Sequence, residues 1–584
     1  MDKIVVLDCG GQYTHLIARK VRECGVYSEI LPVDCPPEAL RGAKGFIISG
    51  GPSSVYDAGS PQIQSGCFTL GIPALGICYG HQLMAHALHG DVQPGDHREF
   101  GPAEIEVLDS SRLTKGLSAH EPVWMSHGDL VREPPAGFRV LASTPGCRVA
   151  AMGDDARRFY SVQFHVEVTH TPHGKAILQN FVHEICGCSS DWSAGERVAA
   201  LEEHVRKAAG NRRVFFFVSG GVDSTVAFTL VTRALGRERV HGAYIDTGFM
   251  RQGETREIAA AFGALGVDLE VIDASEQFFR ALDGVAEPEA KRKIIGEMFI
   301  TVQDQAIARL GWDDNWVLGQ GTIYPDTIES GGTKQSAKIK THHNRVGKVE
   351  EMIAAGRVLE PIAELYKDEV REVGRKLELP TELIARHPFP GPGLAIRCLC
   401  STEDGASTPA PPVNGYDAAR LPIKSVGVQG DFRSYKQPTL LSGGRRDHAA
   451  LSEVSGLVTN TQRESNRVTY LLAGPAPTRA HRAFLTRERI ALLQEADARV
   501  RQWLRDEKLS TAVWQFPVVL LPIGNGGETI VLRPVESEDG MTAHVAPLPF
   551  DALDRLTARL LDLSAVDAVL LDISHKPPAT IEWE

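Results

Sequence analysis

Short apolar runs that end in glycine or in an acid recur through the first two thirds of the chain. Ile4–Leu7 leads to Gly10-Gly11, Phe46–Ile48 to Gly50-Gly51, Val214–Val218 to Ser219-Gly220-Gly221, and Val240–Ile245 to Asp246-Thr247-Gly248. Runs of this kind predict buried parallel strands whose loops build sites at their carboxyl ends. Leu269–Asp273 and Trp316–Gly319 predict two further strands. After Gly221 the period changes to that of a helix, through Ala227, Leu230, Val231, Ala234 and Leu235. Beyond Ile396 the pattern shifts again. Ser401–Asn414 predicts a loop, and Pro438–Glu464 lacks clear periodicity. Short strands are expected at Ser425–Val428, Arg467–Leu472, Val518–Leu521, Thr529–Arg533 and Val569–Ile573. Helices are expected at Arg487–Glu507, with Thr486 as N-cap, and at Ala552–Leu561. The fold class is α/β: two α/β domains with mostly parallel sheets, 1–190 and 191–396, and a smaller α+β domain, 397–584. The polar segment Cys186–Asp191 reads as the first linker.

At 584 residues the chain is too long for one core, and 43% apolar with 23% charged residues is ordinary globular composition. A formal charge of −12 argues against a broad nucleic-acid surface, though a local basic pocket for a small anion remains open. The N-terminal residues enter a strand pattern at Ile4 with no basic leader, and no apolar run approaches the roughly 20 residues of a membrane span. The ten cysteines are scattered; the spacing in Cys186-Gly-Cys188 and Cys398-Leu-Cys400 is not that of a zinc site. Reduced thiols in a cytoplasmic protein are the expectation.

The loop Ser219-Gly220-Gly221-Val222-Asp223-Ser224 stands between a strand and a helix. Its glycines let backbone N–H groups face a phosphate at the positive end of the helix. Ser219, Ser224 and Thr225 add hydroxyl donors, and Asp223 could hold a phosphate-bound Mg²⁺. No Gly-Lys-Ser/Thr closes it, so it is not a Walker loop. It resembles the SGGxDS loop of the ATP pyrophosphatases, which implies cleavage of ATP between its α and β phosphates. Asp246, at the end of the next strand, is placed to contact adenosine; relatives often carry Asn where Thr247 stands.

A second chemistry lies in Gly76-Ile-Cys78-Tyr-Gly80, the form of a nucleophile elbow with cysteine for serine. A thiol at a helix N-terminus is the more readily ionised. His165 and Glu167, two apart on an expected strand, share one face, so the carboxylate can orient the imidazole toward the thiol. In this order the residues resemble the class I (triad) glutamine amidotransferases. The resemblance implies Cys78 as nucleophile, His165 as base and Glu167 as orienter. It further implies Gly51 and Tyr79 N–H groups as oxyanion donors, and Gln82 with Ser126-His127-Gly128-Asp129 as glutamine-holding residues. Val166 departs from the proline that many relatives carry, and valine still favours a strand.

The acceptor is read from Lys291-Arg292-Lys293, Gly319–Asp326, Lys340-Thr-His-His-Asn344, His387–Gly393 and Lys576–Glu584. Together these resemble the GMP synthases, glutamine-hydrolysing enzymes that aminate XMP in the last step of de novo GMP synthesis. That likeness spans nearly the whole chain. It implies ATP and Mg²⁺ as cofactors, glutamine, XMP and ATP as substrates, and an adenyl-XMP intermediate. XMP contact is carried to Arg292, Pro390, Gly391, Pro392, Gly393, Asp431, Arg433, Gln515, Lys576 and Glu582. For Lys291–Lys293 taken alone a solvated helix face is the better reading, and for His342-His343 an ordinary loop pair. Cys398–Leu472 is longer than in the short bacterial form and resembles a shortened extended, eukaryotic-type domain, which leaves a homodimer through the third domain open. Two alternatives stand beside this reading: a pyrophosphatase acting on deamido-NAD or a tRNA base, and a nucleotide-binding protein without turnover.

Overall fold

The computed structural model describes residues 2–168, 170–309, 313, 315–331, 355–384, 389–429, 432–462, 464–537 and 543–584. Lys340–Asn344, His387 and Asp431 lie outside them. They divide into two compact units. The first is Met1–Val198 with Ile323–Thr341 and Ala363–Glu372; the second is Ala199–Thr322, His342–Ile362 and Val373–Glu584.

The first unit is built on β1 (Lys3–Asp8), α1 (Thr14–Glu23), β2 (Tyr27–Pro32), β3 (Gly45–Ile48), β4 (Ala74–Ile77) and α2 (Tyr79–Ala87), followed by β5 (Asp91–Val107), β6 (His120–Glu133), β7 (Arg139–Ser143), β8 (Ala151–Asp154) and β9 (Phe159–Val162). The nine strands form one sheet in the order β2-β1-β3-β4-β9-β8-β7-β5-β6. From β2 to β9 the pairs are parallel, and the remainder are antiparallel. Ile4–Leu7 and Phe46–Ile48 are fully buried because helices cover both faces of the parallel half.

Two later segments complete this unit around one charge. Arg22, its side chain 2% exposed, pairs with Glu369 at 2.8 Å. It donates to the carbonyls of Glu364 at 2.6 Å and Ser28 at 2.7 Å. The rings of Tyr27, Trp192, Tyr324 and Tyr366 stand 4.8, 5.1, 5.0 and 4.9 Å from the guanidinium carbon. A desolvated cation is held by its carboxylate and by the negative faces of the rings.

In the second unit β10 (Arg213–Phe217), β11 (Val240–Asp246), β12 (Leu269–Asp273), β13 (Trp316–Gly319) and β14 (Val358–Leu359) form a parallel sheet ordered β12-β11-β10-β13-β14. A separate mixed sheet of seven strands runs Thr408–Val413, Tyr416–Arg420, Thr439–Ser442, Val468–Ala473, Val566–Asp572, Glu528–Leu532 and Val518–Leu521. Against it pack the helices Arg487–Asp506 and Phe550–Leu561. Thr486 is the N-cap, its hydroxyl accepting the Arg489 N–H at 3.3 Å.

Three expectations are corrected. Ser401–Asn414 is not a loop: Gly405–Ala406 and Thr408–Val413 are strands. Three prolines in the latter fit because it is the edge strand of its sheet. Pro438–Glu464 holds the strand Thr439–Ser442 and the helix His448–Thr461, capped by Asp447. That helix buries Leu451, Val454, Ser455 and Val458 at helical spacing, but a serine interrupts the apolar stripe. Lys291 faces no solvent at all.

Candidate active sites for glutamine hydrolysis and nucleotide activation

In the first unit β4 delivers Cys78 to the start of α2. The residue takes φ 55°, ψ −109°, a conformation costing a non-glycine residue about 1–3 kcal/mol. The flanking glycines permit the turn: a Cβ on Gly76 would lie 2.4 Å from the Gly80 carbonyl oxygen, and one on Gly80 2.2 Å from that of Ile48. The sulfur lies at the head of a helix, 3.4 Å from the Ser126 carbonyl. A Cβ on Gly50 would stand 3.4 Å from the His165 ring and 3.6 Å from the Cys78 Cβ, so the β3 turn, the thiol and the imidazole share one small space.

His165 and Glu167 do meet, with Nδ1 donating to Oε1 at 2.7 Å, but not on a strand. β9 ends at Val162. Beyond it the chain is held by the His165 N–H on the Trp124 carbonyl at 3.0 Å and by Thr171 Oγ1 on the His165 carbonyl at 2.5 Å. Burial alone would lower the His165 pKa. The Glu167 carboxylate and the Cys78 side chain outweigh it and raise the ring to about 10. Glu167→Gln leaves the burial and removes the charge, so the ring pKa should fall toward or below its ordinary 6.5. A raised folded pKa stabilises fully below the unfolded value and is lost as pH climbs through the folded one. Wild type should therefore lose thermal stability between about pH 6.5 and 10 in a way that Glu167→Gln does not. Superimposable melting-temperature profiles for the two proteins would remove the pairing from the account.

The residues expected to hold glutamine meet one another. Gln82 Nε2 donates to the Asp129 carbonyl at 2.8 Å and to Gln163 Oε1 at 3.1 Å. His127 donates Nδ1–H to the Asp129 carbonyl at 3.0 Å and sets Nε2 3.1 Å from Glu99 Oε2. Gly51 lies on the turn after β3, where a Cβ would come 3.4 Å from the Tyr79 ring, and Tyr79 is the first residue of α2. Ser126 and Gly128 lie on β6. Sequence reasoning missed Glu99, which orients His127. It also missed Tyr13, whose ring stands edge-on to His165 with the two ring centres 5.1 Å apart. Neither belongs to a motif, and both arrive by chain folding alone.

In the second unit β10 leads into the phosphate loop. Gly220 takes φ +76°, and Gly221 is the N-cap of the helix Val222–Leu235. The hydroxyls of Ser219 and Ser224 meet at 2.9 Å. Ser224 Oγ and Thr225 Oγ1 lie 3.1 and 2.8 Å from the Gly221 carbonyl. The β13 turn closes against the loop, since a Cβ on Gly321 would come 2.8 Å from the Ser224 backbone. Asp246 ends β11, and its oxygens accept from the Gly248 N–H at 2.8 Å and Thr255 Oγ1 at 2.6 Å. The oxygen-only donors of Asp223, Ser219 and Ser224 at a helix head suit a hard cation such as Mg²⁺.

Of the residues assigned to XMP, Pro390–Gly393 folds against the end of the β11 loop. The Leu394 N–H donates to the Phe249 carbonyl at 2.8 Å, and Gly393 takes φ +65° where a Cβ would strike that oxygen. Arg292 donates to the Glu584 carbonyl oxygen. Both Glu582 carboxylate oxygens are taken by Arg397, at 2.9 and 2.7 Å. Gln515 is buried and exchanges backbone bonds with Val535; Lys576 does the same with Ala543. Arg433 belongs to the strand Phe432–Lys436, which pairs with Ser425–Gln429. Lys291, expected on a solvated face, bonds the Ala395 and Cys398 carbonyls at 3.2 and 3.1 Å and pairs with Glu584.

A strained cysteine with an acid-backed histidine on one α/β unit, and a glycine-serine phosphate loop on another, define a glutamine amidotransferase joined to a nucleotide-activating enzyme. Family models agree: Glutamine amidotransferase class-I matches residues 5–185, NAD synthase residues 194–298, and GMP synthase C terminal domain residues 502–583. The chain is 41% identical over 602 residues to a probable glutamine-hydrolysing GMP synthase of Leptospira interrogans, covering 100% of this chain and 99% of that one. It is 41% identical to the GMP synthases of Alkalilimnicola ehrlichii over 605 residues and Thermobifida fusca over 603, covering 100% of this chain and 98% of each. The chain belongs to the glutamine-hydrolysing GMP synthase family, and it makes GMP from XMP with glutamine and ATP. This membership sets aside an NAD or tRNA acceptor and a protein without turnover. No helix among the described residues is long and apolar enough to cross a membrane.

Proposed function

We propose that residues 1–190 hydrolyse glutamine, that 191–396 activate XMP with ATP, and that 397–584 complete the XMP site. The observation that carries the first assignment is Cys78 in its strained turn beside the Glu167-backed His165. His165, held as an imidazolium beside Glu167, carries the proton given up by the thiol, and the thiolate sulfur attacks the amide carbon of glutamine. The tetrahedral oxyanion is met by the Gly51 and Tyr79 N–H groups, and His165 returns its proton to the departing ammonia. Water then cleaves the γ-glutamyl thioester to glutamate. Gln82 and Ser126–Asp129 hold the substrate.

At the second site Ser219–Ser224 cradle the ATP phosphates and Asp246 faces the nucleoside. Asp223 would hold Mg²⁺, whose charge neutralises phosphate oxygens when bound. The C2 oxygen of XMP attacks the α phosphorus and pyrophosphate leaves. Ammonia adds at C2, the C2–O bond breaks, and AMP carries that oxygen away. Arg292, Pro390–Gly393, Asp431, Arg433, Gln515, Lys576 and Glu582 form the XMP site. With XMP labelled by ¹⁸O at C2, the label should appear in the AMP phosphate; label released as water would remove adenyl-XMP from the pathway.

The reading extends to a cytoplasmic enzyme, supported by ten free thiols, with chains paired through 397–584. Sedimentation that finds only the 63.5 kDa chain would strike the pairing from it.

A further inference from the structure

Two segments that supply proposed XMP contacts, the strand Ser425–Gln429 with its hairpin partner and residues 576–584, meet at one fully buried cation. Arg467 is 0% exposed. Its Nη2 lies 3.1 Å from the Val426 and Thr580 carbonyl oxygens and 3.0 Å from those of Glu582 and from Thr580 Oγ1. Nη1 pairs with Asp572 at 2.6 Å, and the guanidinium lies 4.8 Å from the Trp583 ring centre. Two backbone bonds tie the same segments, Val426 N–H to the Trp583 carbonyl at 2.9 Å and Val428 N–H to that of Pro578 at 2.7 Å.

A second guanidinium, that of Arg397 at 1% exposed, forks onto the Glu582 carboxylate. Glu582 is therefore gripped at its carboxylate by one buried arginine and at its carbonyl by another. Desolvating two guanidinium groups is costly, and ion pairs of this kind are weak sources of stability. What a planar fork does supply is fixed geometry, which a lysine cannot reproduce.

We propose that Arg467 and Arg397 are positioning residues of the XMP site. They hold the Ser425–Gln429 strand and the tail in one register, so that Lys576 and Glu582 present a preformed surface to the nucleotide. The inference rests on the XMP assignment above and adds residues that it did not contain.

The test is steady-state GMP formation by the full chain with ammonium as nitrogen source, which bypasses Cys78. Arg467→Lys and Arg397→Lys keep the buried charge and lose the fork. Each should raise KM for XMP about tenfold or more, a loss of about 1.4 kcal/mol, and leave KM for ATP within about twofold. A fall in kcat and melting temperature with KM for XMP unchanged would reduce both arginines to structural pairs and overturn the proposal. If Arg467→Lys does not fold, Arg397→Lys decides, because its Glu582 partner is 18% exposed and tolerates the change. Lys576→Ala and Glu582→Gln in the same assay separate the two ideas. If these leave KM for XMP untouched, the XMP assignment itself falls. If they raise it and the arginine variants do not, only the positioning role falls.

Discussion

Cys78→Ala should lose glutamine-dependent GMP formation by about 10⁴-fold or more and keep the ammonium-dependent rate. The expected size follows from the chemistry: without sulfur no γ-glutamyl thioester forms, and neither His165 nor the oxyanion donors can substitute for a missing nucleophile. The selectivity follows from the architecture. Cys78 belongs to a unit with its own nine-stranded sheet, and the phosphate loop to another built on a five-stranded sheet. Rates of GMP formation with each nitrogen source measure both at once. Loss with ammonium as well would mean that Cys78 supports the second reaction. Retention with glutamine would place the nucleophile elsewhere.

Asp223→Asn should lower kcat/KM by about 10² to 10³ with glutamine and ammonium alike. The side chain is nearly isosteric, so the loop bonded through Ser219, Ser224 and Thr225 should keep its shape. What disappears is the negative charge at the head of the helix Val222–Leu235, where a phosphate-bound cation would be neutralised. The loss should shrink when the Mg²⁺ concentration is raised, since a weakened site is partly restored by mass action. An undiminished rate, or a loss insensitive to Mg²⁺, would move the cation to another residue.

Much of the fold could be read along the chain. β12, β13 and the strand Val518–Leu521 have the bounds that their apolar runs suggest, and the helix at 487 begins at its expected N-cap. These signals are local: four or five apolar residues in a row, a change of period, a threonine before a run. Gly76, Gly80 and Gly220 were legible for the same reason, since a tight turn leaves its glycine in the sequence. The strand expected under His165 was not found, because a Glu167 contact is equally available from a bent segment pinned by Trp124 and Thr171.

The sequence by itself determined the short buried strands of uninterrupted apolar residues and the two glycine turns, because those depend on neighbours a few residues apart. The tertiary structure alone decided which charges are buried and what they hold. Arg22 within four aromatic rings, Lys291 under Glu584, and Arg467 and Arg397 around Glu582 all look like surface cations in one dimension. The carboxylates that pair with Arg22, Lys291 and Arg397, and the Glu582 carbonyl on Arg467, lie between about a hundred and three hundred and fifty residues away. A charge enters a low-dielectric interior only where folding has already brought its acceptors together, so no local pattern can announce it.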